Sequence, residues 1–74
     1  MIRIRLDYVL LDRQMKLIDL AKATGMAINN LSILKTNKAR AIRFSTLNTL
    51  CTVLNCTPGD LIEYVPEDND SRKN

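Results

Sequence analysis

Leu17-Ile-Asp-Leu-Ala-Lys-Ala-Thr-Gly-Met-Ala-Ile-Asn-Asn-Leu-Ser-Ile-Leu-Lys35 is the stretch on which the fold turns. Its spacing predicts two short helices, about 17–24 and about 27–36, that meet at a bend. Ala21 is small enough to stand where two steeply crossed helices come closest. Gly25 has no Cβ and enters the left-handed region at little cost, so it ends the first helix. Leu31 and Leu34 are three apart and fall on one face of the second, where they seat it against the first. Ala27 offers no side-chain oxygen at the start of that second helix, so its N-terminus is poorly capped. Two helices arranged in this way form a helix-turn-helix, the geometry that presents a second helix to the DNA major groove.

Working outward, Ile2-Arg-Ile-Arg-Leu6 alternates apolar and basic residues with period two, the pattern of a short half-buried strand. From Asp7 the spacing becomes helical, and a first helix is expected at about 6–14. No Gly or Pro marks its end at Met15-Lys16, and the break is inferred from the helix that follows. Beyond the central pair, Thr36 to Arg40 reads as a loop, with Asn37 suited to a left-handed position after the helix. Ser45-Thr-Leu-Asn-Thr-Leu-Cys-Thr-Val-Leu54 is amphipathic. Ser45 is expected to cap it, and Leu47, Leu50, Cys51 and Leu54 form its buried stripe. Asn55 and Cys56 end it. Thr57-Pro-Gly-Asp60 then opens a fifth helix, with a capping residue, Pro at the first helical position and an acid in the first turn. Leu61 and Ile62 are expected to pack inward. Glu63 to Pro66 reads as extended, giving a domain at 1–66, and 67–74 as a polar, flexible tail.

Seventy-four residues allow one small domain, and a chain of this size buries only about 60% of the surface it exposes when unfolded. Its core draws mainly on Leu, Ile, Val and Met, because Phe44, Tyr8 and Tyr64 are its only aromatic residues. There is no histidine, and Cys51 and Cys56 are the only cysteines. Two thiols do not complete a four-ligand zinc site, so neither a metal nor a cofactor is expected. Cys51 lies in an apolar stripe and reads as a buried structural thiol. No paired carboxylates on a common face, no Gly-rich phosphate loop and no nucleophile with a base appear, which argues against an enzyme. No apolar run approaches the ~20 residues of a membrane span. The N-terminus lacks the apolar core of a signal peptide, so a cytoplasmic protein is expected.

Charge is unevenly placed. Residues 13–43 carry seven cations against Asp19 alone, a net +6, whereas residues 60–74 carry five acids against two cations, a net −3. The positive excess thus coincides with the two central helices and the loop after them, as a phosphate-facing surface requires. Lys16, Lys35, Lys38, Arg40 and Arg43 are the phosphate candidates. Arg43 has a second option, a narrowed minor groove.

Leu20-Ala21, Gly25, Leu31 and Leu34, followed by Lys35-x-x-Lys38, Phe44-Ser-Thr-Leu47 and Leu54-Asn-Cys-Thr-Pro-Gly-Asp-Leu61, resemble the Cro/C1-type (XRE-like) helix-turn-helix family of phage and bacterial regulators. The resemblance covers about residues 6–65. It implies an all-α, five-helix, lambda-repressor-like domain that binds double-stranded DNA as a homodimer on a palindromic operator, usually as a repressor. It also implies a terminal β-ribbon, about 2–5 with 62–66, that assists dimerisation. The residues agree, since so short a strand needs a partner.

Carried over position by position, the resemblance assigns base reading to Ala27, Ile28, Asn29, Ser32, Ile33 and Thr36, with Asn30 as a further candidate. Asn29 is the leading specificity residue, because a carboxamide both donates to and accepts from adenine. Ser32 and Thr36 can bond to base edges or phosphates. Ile28 and Ile33 are atypical of a reading face, and three readings stay open for them: contact with thymine methyls, contact with a protein, or partial burial. If they bind protein, the chain is instead an interaction module on the same fold, such as an antitoxin or anti-regulator. Phe44 is expected to anchor the start of the fourth helix in the core.

Overall fold

The computed structural model describes residues 1–66. Its elements are β1 (Ile2–Ile4), α1 (Leu6–Asp12), α2 (Leu17–Thr24), α3 (Ile28–Lys35), α4 (Phe44–Leu54), α5 (Pro58–Leu61) and β2 (Ile62–Tyr64). The five helices and the terminal ribbon agree with the expectation from sequence. The tail expected at 67–74 lies outside the described residues.

The helix ends follow from single residues. Gly25 ends α2 at φ 74°, its N–H donating to the Ala21 carbonyl at 2.9 Å. A Cβ there would meet nothing within 4 Å, so backbone conformation alone calls for glycine. Three other helices end on residues that carry a Cβ in the same left-handed region: Gln14 at φ 55°, Asn37 at 62° and Asn55 at 52°. Each is followed by an N–H that reaches back five residues. Met15 donates to Leu10 at 2.9 Å, Lys38 to Ile33 at 3.0 Å and Cys56 to Cys51 at 3.1 Å. These are Schellman closures, which satisfy carbonyls that the helix leaves without partners. Gln14 therefore makes the stop that no Gly or Pro announced, and α1 ends at Asp12 instead of about 14.

Helix α4 also departs from expectation. It begins at Phe44, with Arg43 as the cap residue in an extended conformation and no side-chain cap. Ser45 is thus the second helical residue and does not cap. The burial of Leu50 and Leu54 sets the rotation of this helix, and Leu47 N–H closes the first turn on the Arg43 carbonyl at 2.9 Å.

Nine residues form the core: Leu6, Val9, Leu10, Leu20, Leu31, Leu34, Leu50, Leu54 and Leu61. Every helix contributes at least one, so a single leucine cluster joins all five. Ala21, Leu17, Leu47, Cys51, Cys56 and Ile62 are partly buried against it, which makes Cys51 half-buried where full burial was expected. Burial, then the adjacent Cys51 thiol, raises the Cys56 thiol above its ordinary value.

Polar contacts fix the periphery. Arg13, just past α1, donates from Nε to the Leu54 carbonyl at 2.9 Å and from Nη2 to the Asn55 carbonyl at 3.1 Å. It satisfies the orphan carbonyls at the end of α4 and places a cation at the negative end of that helix. The strands pair antiparallel, Ile2 with Tyr64, Arg3 with Glu63 and Ile4 with Ile62. Arg5 N–H to Leu61 (2.6 Å) and Val65 N–H to Met1 (2.8 Å) extend the ladder at both ends.

Gln14 is exposed and left-handed, so Gln14→Gly relieves the backbone strain and should stabilise the fold by about 1 kcal/mol, raising the thermal midpoint by about 4–8 °C for a domain of this size. Gln14→Val should lower that midpoint. In α5, one Asp60 carboxylate oxygen accepts from the Thr57 N–H at 2.9 Å and from its hydroxyl at 3.1 Å. These bonds, the backbone one first, hold its pKa below the ordinary 3.8. A depressed folded pKa means that the cap contributes fully above the ordinary carboxylate range and is lost as pH falls through the lower folded value. Urea midpoints followed down to about pH 2 should therefore fall less steeply for Asp60→Asn than for the parent chain.

Candidate nucleic-acid interface

The orientation of α3 follows from Leu31 and Leu34, which are 0% and 6% exposed. With roughly 100° of rotation per residue, the direction opposite these two leucines runs between Asn29 and Thr36, with Ser32 and Ile33 on either side. All four are exposed. They stand at i, i+3, i+4 and i+7 and make one outward stripe, mostly polar.

Ile28 and Ile33 are both exposed, at 41% and 45%, and neither belongs to the leucine core or to the residues packed against it. They are five residues apart, about 140° around the helix axis. They therefore lie on opposite sides of the polar Asn29, Ser32 and Thr36 and do not merge into one apolar patch.

Asn30 lies on the Ile33 flank. There it lines a concavity of about 420 Å³ together with Ile33, Arg43 and Thr46. On the opposite flank, Lys16 and Lys35 line a second concavity of about 520 Å³ with Tyr8 and Leu11. Cations thus border the stripe on both sides. Arg40 lines a smaller hollow between the loop and the ribbon, and Lys38 is exposed on the loop. None of these five cations forms an ion pair among the described residues, where Glu63 pairs with Arg5 and Asp12 with Arg13. An unpaired cation at the surface is available to a phosphate.

Hydrogen bonds narrow two roles. The Thr36 hydroxyl donates to the Ser32 carbonyl at 2.8 Å, so its lone pairs can accept from a base amino group but it has no proton for a phosphate. Ala27 provides no side-chain cap for α3, which leaves the first N–H groups of that helix to an outside acceptor.

Residues 5–67 match the profile of the Cro/C1-type HTH DNA-binding domain. This chain belongs to that family. Among its relatives is the uncharacterized HTH-type transcriptional regulator YozG of Bacillus subtilis (strain 168), 48% identical over 61 residues that span 82% of this chain and 73% of the relative. No helix among the described residues is long and apolar enough to cross a membrane.

As a Cro/C1-type domain, the chain has its scaffold where the motif placed it, while two side chains behave otherwise than expected. Arg13, counted among the cations of the basic segment, is committed to the end of α4. Phe44 does not anchor the core: it is 89% exposed. It opens α4 about 100° around from the buried line of Leu50 and Leu54, at the end of the helix beyond its neighbours. The sequence also gives no sign that Asn37 is more than a turn residue, although its side chain pairs with the backbone of Ile4 in β1. Phe44→Ala should change stability by less than about 0.5 kcal/mol, measured by urea unfolding, where a core-anchoring Phe would cost about 3–5 kcal/mol.

Proposed function

We propose that the chain is a sequence-specific DNA-binding transcriptional regulator, acting as a dimeric repressor on a short palindromic operator. The observation that carries this reading is the outward stripe of α3, bordered on both flanks by cations that form no ion pair among the described residues. Helix α3 enters the major groove. Asn29 reads a base edge through its carboxamide, preferentially adenine, and Ser32 and Thr36 supply shorter polar contacts. Ile28 and Ile33 meet thymine methyls on either side of that stripe, with Ala27 and Asn30 at its margin. Lys16, Lys35, Lys38 and Arg40 lie on phosphates, and Arg43 on a phosphate or in the adjacent minor groove.

The split of Ile28 from Ile33 supports the DNA reading over a protein-docking module, because an apolar docking site gathers its anchors at one centre. The ribbon supports a dimer. In its ladder Ile2 and Tyr64 form a pair whose backbone groups point away from each other. The β2 edge at Tyr64 is therefore open to a second copy.

Selection of bound duplexes from random DNA should yield a palindrome with half-sites about one helical turn apart. Asn29→Ala should cost about 1–3 kcal/mol at a single base position and relax discrimination there, whereas Lys38→Ala should weaken every sequence alike and reduce the log–log salt slope by about one. No duplex bound more tightly than random DNA would sink the proposal. A protein partner lost on Ile28→Asp, with no DNA protected, would put the interaction module in its place.

A further inference from the structure

Asn37 follows α3 in a left-handed conformation, φ 62°, and that conformation swings its side chain onto the first strand. Its Oδ1 accepts from the Ile4 N–H at 2.6 Å, and its Nδ2 donates to the Ile4 carbonyl at 2.9 Å. A carboxamide paired in both directions with one residue's backbone reproduces the hydrogen bonds of a neighbouring strand. Residues 4 and 37 are joined across 33 positions of sequence, and the outer edge of β1 is occupied at Ile4. The same residue closes the Schellman turn of α3, its N–H donating to Leu34 at 3.2 Å while Lys38 N–H reaches Ile33 at 3.0 Å. It is thus the junction of three parts: the end of α3, the terminal ribbon, and the loop to α4 that carries Lys38, Arg40 and Arg43. That loop has no regular structure of its own between Asn37 and α4. Ala39 and Ile42 rest on the core from it.

We infer that Asn37 is a positioning residue that clamps the cation-bearing loop to the terminal ribbon, so that β1 is part of the DNA-binding unit. The inference rests on the DNA reading above and assigns Asn37 no contact with DNA. A loop held in place before binding avoids the entropic cost of ordering its residues on the duplex. The clamp acts only through Ile4, and this makes it separable from every other role of residue 37.

Asn37→Gly tests it. Glycine accepts a φ of 62° without strain, so the turn survives and only the clamp is lost. Ile4→Pro removes the N–H half of the same pairing from the other side, while the residue 4 carbonyl can still accept from Asn37 Nδ2. The Ile4 N–H faces outward to Asn37, and a proline at such an edge position leaves the ladder to β2 intact. Asn37→Gly should lower affinity for the selected duplex about tenfold, the cost of ordering a few loop residues on binding. In the double variant the two effects should be less than additive, because Asn37→Gly already removes the bond that Ile4→Pro breaks. Hydrogen exchange on the free protein gives a readout independent of DNA: the Ile4 amide and the amides of 38–43 should exchange at least about tenfold faster in Asn37→Gly. Unchanged exchange at those amides overturns the inference whether or not the chain binds DNA. So does unchanged affinity in a wild-type protein that binds specifically, as does full additivity, which would mean that Asn37 acts on the DNA directly. Loss of all specific binding by the parent chain counts against the DNA reading alone, and the exchange data still decide the clamp.

Discussion

The burial of Leu31 and Leu34 is the constraint from which the rest of the interface descends. A helix of eight residues has little freedom once two leucines on one face must leave water, each worth about 1.5–3 kcal/mol of transfer free energy. Leu20 from α2 and Leu50 and Leu54 from α4 complete the same cluster. With that face turned in, the opposite one must carry Asn29, Ser32, Ile33 and Thr36. The identity of the outward side chains is free to vary, but their direction is not. This separation of scaffold from reading face allows one fold to serve many sequences.

The scaffold itself is held by economical means. A domain of this size has a small core, and here that core is leucine with one valine. The remaining order comes from helix ends. Three of five helices stop at a left-handed Gln or Asn, each exchanging backbone strain for paired carbonyls. Arg13 and Asn37 extend this logic over distance, the first tying the end of α1 to the end of α4, the second tying the end of α3 to β1. Both place a polar side chain on backbone groups that would otherwise depend on water. Neither is buried, so their effect is on geometry and local mobility more than on global stability.

These two ties mark the limit of what the residues alone reveal. The leucine spacing, Gly25 and the Thr57–Asp60 cap are local signals. Each depends on neighbours within one or two turns, and the order of the helices and the bounds of α2 could be read from them, whereas the pairing of the two ends was implied by the family resemblance. Gln14 carried no such signal, because its left-handed conformation goes with the burial of Leu10 and Met15 on either side of it in the chain and with the Met15 N–H closing on the Leu10 carbonyl, and not with a preference of glutamine itself. Phe44 misled for a related reason. Aromatic residues are usually inside, but the rotation of α4 was fixed by leucines further along, and the first residue of a helix has no neighbouring turn to cover it. The amide of Asn37 spans 33 residues, a separation over which no sequence periodicity operates. On the candidate interface, the outward direction of Asn29, Ser32, Ile33 and Thr36 was legible from the spacing of Leu31 and Leu34. The internal commitments of Arg13 and of the Thr36 hydroxyl were not, since both depend on where a carbonyl happens to lie.

The two isoleucines show why direction matters more than composition. Counted as residues, Ile28 and Ile33 make the face of α3 look apolar and suited to a protein. Placed on the helix, about 140° apart, they stand at its two shoulders with the polar stripe between them. A protein partner gains most from apolar groups gathered into one desolvated centre, an arrangement that these shoulders cannot form. A major groove offers something different: hydrogen-bonding base edges with thymine methyls beside them, within one groove about 12 Å wide. A helix whose centre is polar and whose shoulders are apolar matches that pattern of groups. The same residues that made the sequence look unlike a DNA reader thus support one once their angular positions are known.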